Sequence, residues 1–78
     1  MPLYFFDIFD GTQLLRDEEG SDLPDLKAAR DDAVALLPDL IKSRLPEDEH
    51  RRLVVTVRDE SGAAILQASL SLDVTFIS

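Results

Sequence analysis

Seven carboxylates, Asp7, Asp10, Asp17, Glu18, Glu19, Asp22 and Asp25, crowd the first third of this 78-residue sequence. Calcium and magnesium need several oxygens converging on one point, so a metal or small polar ligand would be sought here. The spacing of a calcium loop, with acids at alternate positions followed by glycine, is absent. Asp10-Gly11, Glu19-Gly20 and Asp22-Leu23-Pro24-Asp25 read instead as turn-formers and a helix cap. The single histidine, His50, stands between Glu47-Asp48-Glu49 and Arg51-Arg52. A general base needs a nucleophile or an orienting acid beside it, and only Glu47 and Glu49 are near, so a solvated loop residue is expected. Ser43, Ser61, Ser69 and Ser71 lie in no nucleophile elbow, and the three glycines form no phosphate-cradling loop. The absence of cysteine removes thiol chemistry and Cys-ligated zinc. No catalytic residue, metal ligand or cofactor is assigned, and a non-enzymatic protein is expected.

Eight basic residues against sixteen acidic ones leave a formal charge of −8. That field opposes nucleic acid and anionic lipid and favours a basic partner or a cation. Lys42, Arg44, Arg51 and Arg52 form a small positive patch, expected to sit at the negative end of a helix. The uncharged stretch from Gly62 to Leu72 is too short and too polar to span a bilayer. Met1-Pro2 runs straight into a strand without a leader, so a soluble, cytoplasmic protein is expected.

The elements that must position these residues fill a single domain, residues 1–78, because no split leaves two parts able to bury a core. From Leu26 to Leu45 the apolar period is helical. Leu26, Ala29, Ala33, Leu37 and Leu40 share one arc, flanked by Leu36 and Ile41, while Lys27, Asp31, Asp32, Asp39 and Lys42 lie opposite. Asp25 is the favoured cap, with Asp22 as the competitor. Pro38 costs about 3 kcal/mol inside a helix. Burying Leu37, Leu40 and Ile41 returns about 1.5 to 3 kcal/mol each, so the helix is expected to bend and continue.

Leu3–Phe9 is a strand closed by the hairpin signal Asp10-Gly11. It places Tyr4, Phe6 and Ile8 on one face and Leu3, Phe5, Asp7 and Phe9 on the other. Residues 13–17 can return as a short second strand. After a loop at residues 46–50, Leu53–Arg58 reads as the third strand, Asp59–Gly62 as a turn and Ala63 onward as the fourth. There Ala64, Leu66, Ala68, Leu70, Leu72, Val74 and Phe76 alternate with Ile65, Gln67, Ser69, Ser71, Asp73 and Thr75, and the first set should face the helix. This strand outlasts any neighbour, so its tail past Leu72 is expected to overhang or to pair with a second subunit. Arg16-Asp17-Glu18-Glu19-Gly20 and Arg58-Asp59-Glu60-Ser61-Gly62 are alike, which the few residue types suited to turns explain.

The expected fold is a two-layer α+β domain of order β-β-α-β-β, with a four-stranded antiparallel sheet and one helix across one face. Nothing remains to cover the other face. Phe5, Phe9, Ile65 and Thr75 are therefore the expected interface residues of a self-associating interaction module, a homodimer formed through the open face or an edge strand.

Tyr4-Phe5-Phe6-Asp7 with Asp10-Gly11, Asp17-Glu18-Glu19-Gly20, Leu23-Pro24-Asp25-Leu26 with Ala28-Ala29-Arg30, and Val57-Arg58-Asp59 with Gly62 together resemble a family of short bacterial proteins carrying a domain of unknown function. The resemblance spans nearly the whole chain and implies a stand-alone module; it transfers no functional residue. Pro38 departs from the Ala- and Leu-rich helix usual in that family. At the level of layout alone, strands, an acidic turn, a Leu/Ala-rich helix and more strands are similar to HicB-type antitoxins, which would imply a basic toxin as partner. A small-ligand or metal-binding role for the acidic turns is the further alternative.

Overall fold

The β-branched run Leu53-Val54-Val55-Thr56-Val57 suits a pleated, covered surface, and it forms the centre of the protein. The computed structural model describes residues 2–43 and 50–78. Its elements are β1 (Leu3–Phe9), β2 (Leu14–Leu15), β3 (Ser21–Asp22), α1 (Leu26–Ser43), β4 (His50–Arg58) and β5 (Ala64–Asp73). All strand pairs are antiparallel. The sheet runs β2-β1-β4-β5, with β3 pairing β1 on the same edge as β2.

Two layers, one sheet and one helix on one face, agree with the expectation, but among the described residues the sheet has five strands in the order β-β-β-α-β-β. The second strand expected at residues 13–17 is shortened to Leu14–Leu15, and Ser21–Asp22, expected only in the entry to the helix, forms a further strand on β1. Ile8 opposes Leu15 and Leu3 opposes Asp22, so the returning chain carries two residues more than β1 offers partners for. The surplus arches out at residues 16–20, much as a bulge interrupts a ladder. There Asp17 Oδ2 takes the Phe6 amide at 3.1 Å, a hydrogen bond that a strand backbone would otherwise make.

β4 is longer than expected, because His50 opens the strand instead of closing the loop. β5 therefore does not outlast its neighbour: pairs run from His50↔Asp73 to Arg58↔Ala64. A register shift between Val57 and Arg58 leaves Ile65 as the extra residue. Residues 74–78 lie beyond the strand. The loop expected at Pro46–Glu49, and the roles expected of Glu47, Glu49 and Arg44, fall outside the described residues.

Helix α1 opens on Asp25, whose Oδ1 accepts the Ala28 amide at 2.9 Å, so the favoured cap is the one used. The helix continues through Pro38 to Ser43, and Leu45 falls outside the described residues. Its narrow apolar arc meets the sheet. Ala29, Ala33 and Leu37 are buried with Tyr4, Leu53, Val55 and Val57, and Phe6, Ile8, Leu36, Leu40, Ile41, Leu66, Ala68 and Leu70 pack around them. The two alanines let the helix backbone approach the sheet, and Val55 and Val57 fill the contact completely. Leu26, expected in this arc, is 44% exposed at the first turn.

Candidate functional site

On the sheet face away from α1, Phe5 opposes Arg58, Asp7 opposes Thr56 and Phe9 opposes Val54. Asp7 is the charge in an otherwise apolar row, and it is buried. A buried carboxylate requires a partner. Arg58 provides it from the end of β4, with Nε 2.7 Å from Oδ2 and Nη2 3.1 Å from Oδ1. The same Nη2 donates to the Asp17 carbonyl at 2.9 Å, and the Asp17 amide donates to Asp7 Oδ1 at 3.0 Å. The guanidinium carbon lies 5.0 Å from the Phe5 ring centroid, within cation–π range.

Two carboxyls here titrate below the usual carboxylate range. For Asp7 the Arg58 hydrogen bonds outweigh burial, which alone would raise the value. For Asp17 burial is the largest influence and also raises, but the amides of Phe6, Gly20 and Glu19 together prevail. Both are thus ionised at neutral pH and held by several hydrogen bonds, an arrangement suited to pinning the 16–20 arch onto β1. The two similar turns share a mechanism. Asp17 Oδ1 accepts from the Glu19 and Gly20 amides, Asp59 Oδ1 accepts from the Ser61 and Ala63 amides, and Gly20 and Gly62 both have positive φ.

The other acidic turn at Asp10 follows suit, its Oδ1 accepting from the Thr12 and Gln13 amides. Among the described residues no three His, Asp or Glu side chains cluster as metal ligands. Nor is any helix there long and apolar enough to cross a membrane.

The expected interface residues are not gathered into one strip. Phe5 is half-buried under Arg58 and beside Gly20, while Phe9, 42% exposed, stands beyond Asp7 on the same strand. Ile65, 37% exposed, lies at the end of the sheet near Phe5 but two strands away on β5, bordering a groove, and Thr75 lies exposed on the tail. Between these, Thr56, Gln67, Ser69 and Ser71 make the open face polar, with Gln67 Nε2 donating to Thr56 Oγ1 at 3.3 Å. Alternation identified that face. What sequence reasoning missed is the Asp7–Arg58 pair that occupies its middle, although a lone carboxylate inside an apolar row was its signal.

Other surface features remain. Leu14 and Leu15 on β2 are each 62% exposed, beside a cavity of about 110 Å³ that Ile8, Leu40 and Leu53 help to line. The outer edge of β5 has no strand beside it among the described residues. Past it, Phe76 and Ile77 are 81% and 91% exposed.

A family model described as Domain of unknown function (DUF6894) matches residues 3–71. No curated protein and no solved structure matches this chain.

Proposed function

The chain belongs to the DUF6894 family, whose description carries no activity, and from that premise we propose that it is a non-enzymatic interaction module that self-associates through the outer edge of β5. The observation that carries this reading is the edge itself. The ten-residue strand Ala64–Asp73 pairs with β4 along one side, and among the described residues no strand lies along the other. Isolated sheets protect such edges with lysine, proline, short strands or a covering loop. β5 has no lysine and no proline, and Asp73 at its end is its one charged residue, in a chain of net charge −8. The opposite edge, broken into β2 and β3 around the Asp17 arch, is protected in the usual way. Pairing two β5 edges joins two sheets into one and lays both helices on the same side.

The test is sedimentation velocity across a concentration series. A dimer is expected in the micromolar range, tightening as salt screens the repulsion between two acidic copies. Ser69→Lys adds a charge to an exposed position on the edge and should return the protein to a monomer of unchanged circular dichroism. A monomer at high micromolar concentration and high salt sinks the proposal. The net charge supports a second reading, in which a basic protein strand takes the same edge; a stable complex with a Lys/Arg-rich β-forming peptide, lost in Ser69→Lys, would favour it.

A further inference from the structure

At the end of the sheet where β1 begins, a groove of about 480 Å³ lies between the first turn of α1 and the β4–β5 turn. Leu3, Tyr4, Leu26 and Ile65 supply its apolar walls, and Glu60 on its rim accepts the Leu3 amide at 2.7 Å. Leu26 and Ile65 are left 44% and 37% exposed. At the other end of β5, Phe76 and Ile77 project from the tail almost bare.

We propose that residues 74–77 of a second copy fill this groove. The proposal rests on the β5-edge reading above and names what completes that interface. The protein's own tail is too short to be the occupant. Ile65 and Asp73 are eight residues apart on one strand, a distance of about 27 Å, whereas the five residues after Asp73 reach at most about 17 Å.

A second copy brings its tail to the right place. When two β5 strands pair antiparallel about a two-fold axis at Ser69, Leu66 opposes Leu72 of the other copy and Ala68 opposes Leu70, small against large. An axis at Ala68 instead sets the two alanines against each other and leaves a gap in the apolar row. With Ser69 on the axis, Asp73 of one copy lies level with Ile65 of the other, and its tail leaves the strand beside the groove.

Side-chain alternation also fits. Continued past Asp73, the alternation that turns Leu66, Ala68 and Leu70 toward α1 puts Val74 and Phe76 in the same row, and Tyr4 and Leu26 line the groove on that side. Size argues for the tail as well. A phenylalanine buries about 150 to 250 Å², so the two Phe76 side chains supply a third to a half of the roughly 1,000 Å² that a specific interface needs.

The chain has no cysteine, so a single introduced one reports the register cleanly. Directly opposed Cα atoms in an antiparallel pair lie about 4.5 to 5.5 Å apart, within disulfide reach. Full-length Ser69→Cys is expected to oxidise to a covalent dimer. In a mixture of ¹⁴N- and ¹⁵N-labelled chains carrying a benzoyl-phenylalanine photocrosslinker at position 76, mixed-isotope crosslinks are expected at Leu26, Leu3 or Ile65. Phe76→Ser, at an exposed position that the fold does not need, should weaken the dimer at least tenfold. If Ser69→Cys crosslinks while Phe76→Ser leaves the dissociation constant unchanged and position 76 reaches no groove residue, the tail inference is overturned and the edge reading stands. A monomer throughout overturns both.

Discussion

Arg58 reaches past its direct partner in the ladder, Phe5, to hold Asp7 by both carboxylate oxygens, at 2.7 and 3.1 Å. The diagonal brings the guanidinium over the Phe5 ring and under the Asp17 carbonyl, so one side chain ties β4, β1 and the 16–20 arch together. Breaking a buried pair leaves a stranded charge. Asp7→Ala should therefore cost about 3 kcal/mol, a drop of roughly 12 to 24 °C in melting temperature for a domain this small, readable by thermal circular dichroism. Arg58→Lys should also destabilise, since an ammonium cannot reproduce the two-pronged contact. A change in melting temperature within error for Asp7→Ala would remove the pair from the account of stability.

Acid should unfold the protein through the same residues. Asp7 and Asp17 are held below their ordinary value of 3.8, so each contributes stability that is complete above that value. The contribution disappears as pH falls through the lowered folded-state values. Urea midpoints should change little from pH 7 to 5 on their account and fall steeply below about 4. Asp7→Asn should flatten that acid limb, and an unaltered limb would count against the assignment.

Gly20 and Gly62 separate backbone strain from crowding. Both have positive φ, at 77° and 89°, but a Cβ on Gly20 would lie 2.9 Å from Phe5 Cε1, whereas one on Gly62 meets nothing within 4 Å. Gly62→Ala should cost about 1 kcal/mol from backbone strain alone. Gly20→Ala should cost about 1 to 3 kcal/mol more, because the Phe5 ring must shift against Arg58. Equal losses in chemical denaturation would show that the Phe5 contact yields freely.

Asp25→Ala should lower stability by about 1 kcal/mol through loss of the helix cap, and Asp22→Ala by much less, because Asp22 belongs to β3. Denaturation midpoints of the two variants provide the comparison. A larger loss at Asp22 would move the cap to the position that the sequence offered as its competitor.

Local patterns were enough for much of this fold. The 3.6-residue spacing of Ala29, Ala33 and Leu37 fixed the buried face of α1, and the alternation of Tyr4, Phe6 and Ile8 fixed the helix side of β1. Asp25 and the turn glycines declared themselves through short-range chemistry that neighbouring residues suffice to set. The helix passes Pro38 because the apolar side chains beyond it gain more by packing than one lost hydrogen bond costs. All of these depend on periods of two or 3.6 residues, which a one-dimensional sequence displays directly.

Tertiary structure alone decided the rest, because it depends on groups far apart in the chain. Asp7 and Arg58 are 51 residues apart, and nothing local says that the charge in the first strand is answered at the end of the fourth. The pairing of Ser21–Asp22 with β1 as a separate β3 follows from where Asp17 meets Phe6, and β4 begins at His50 because β5 supplies it a partner as far as Asp73. Which edge of the sheet is left open is likewise a property of strand order, which pairing between distant segments sets and residue type does not.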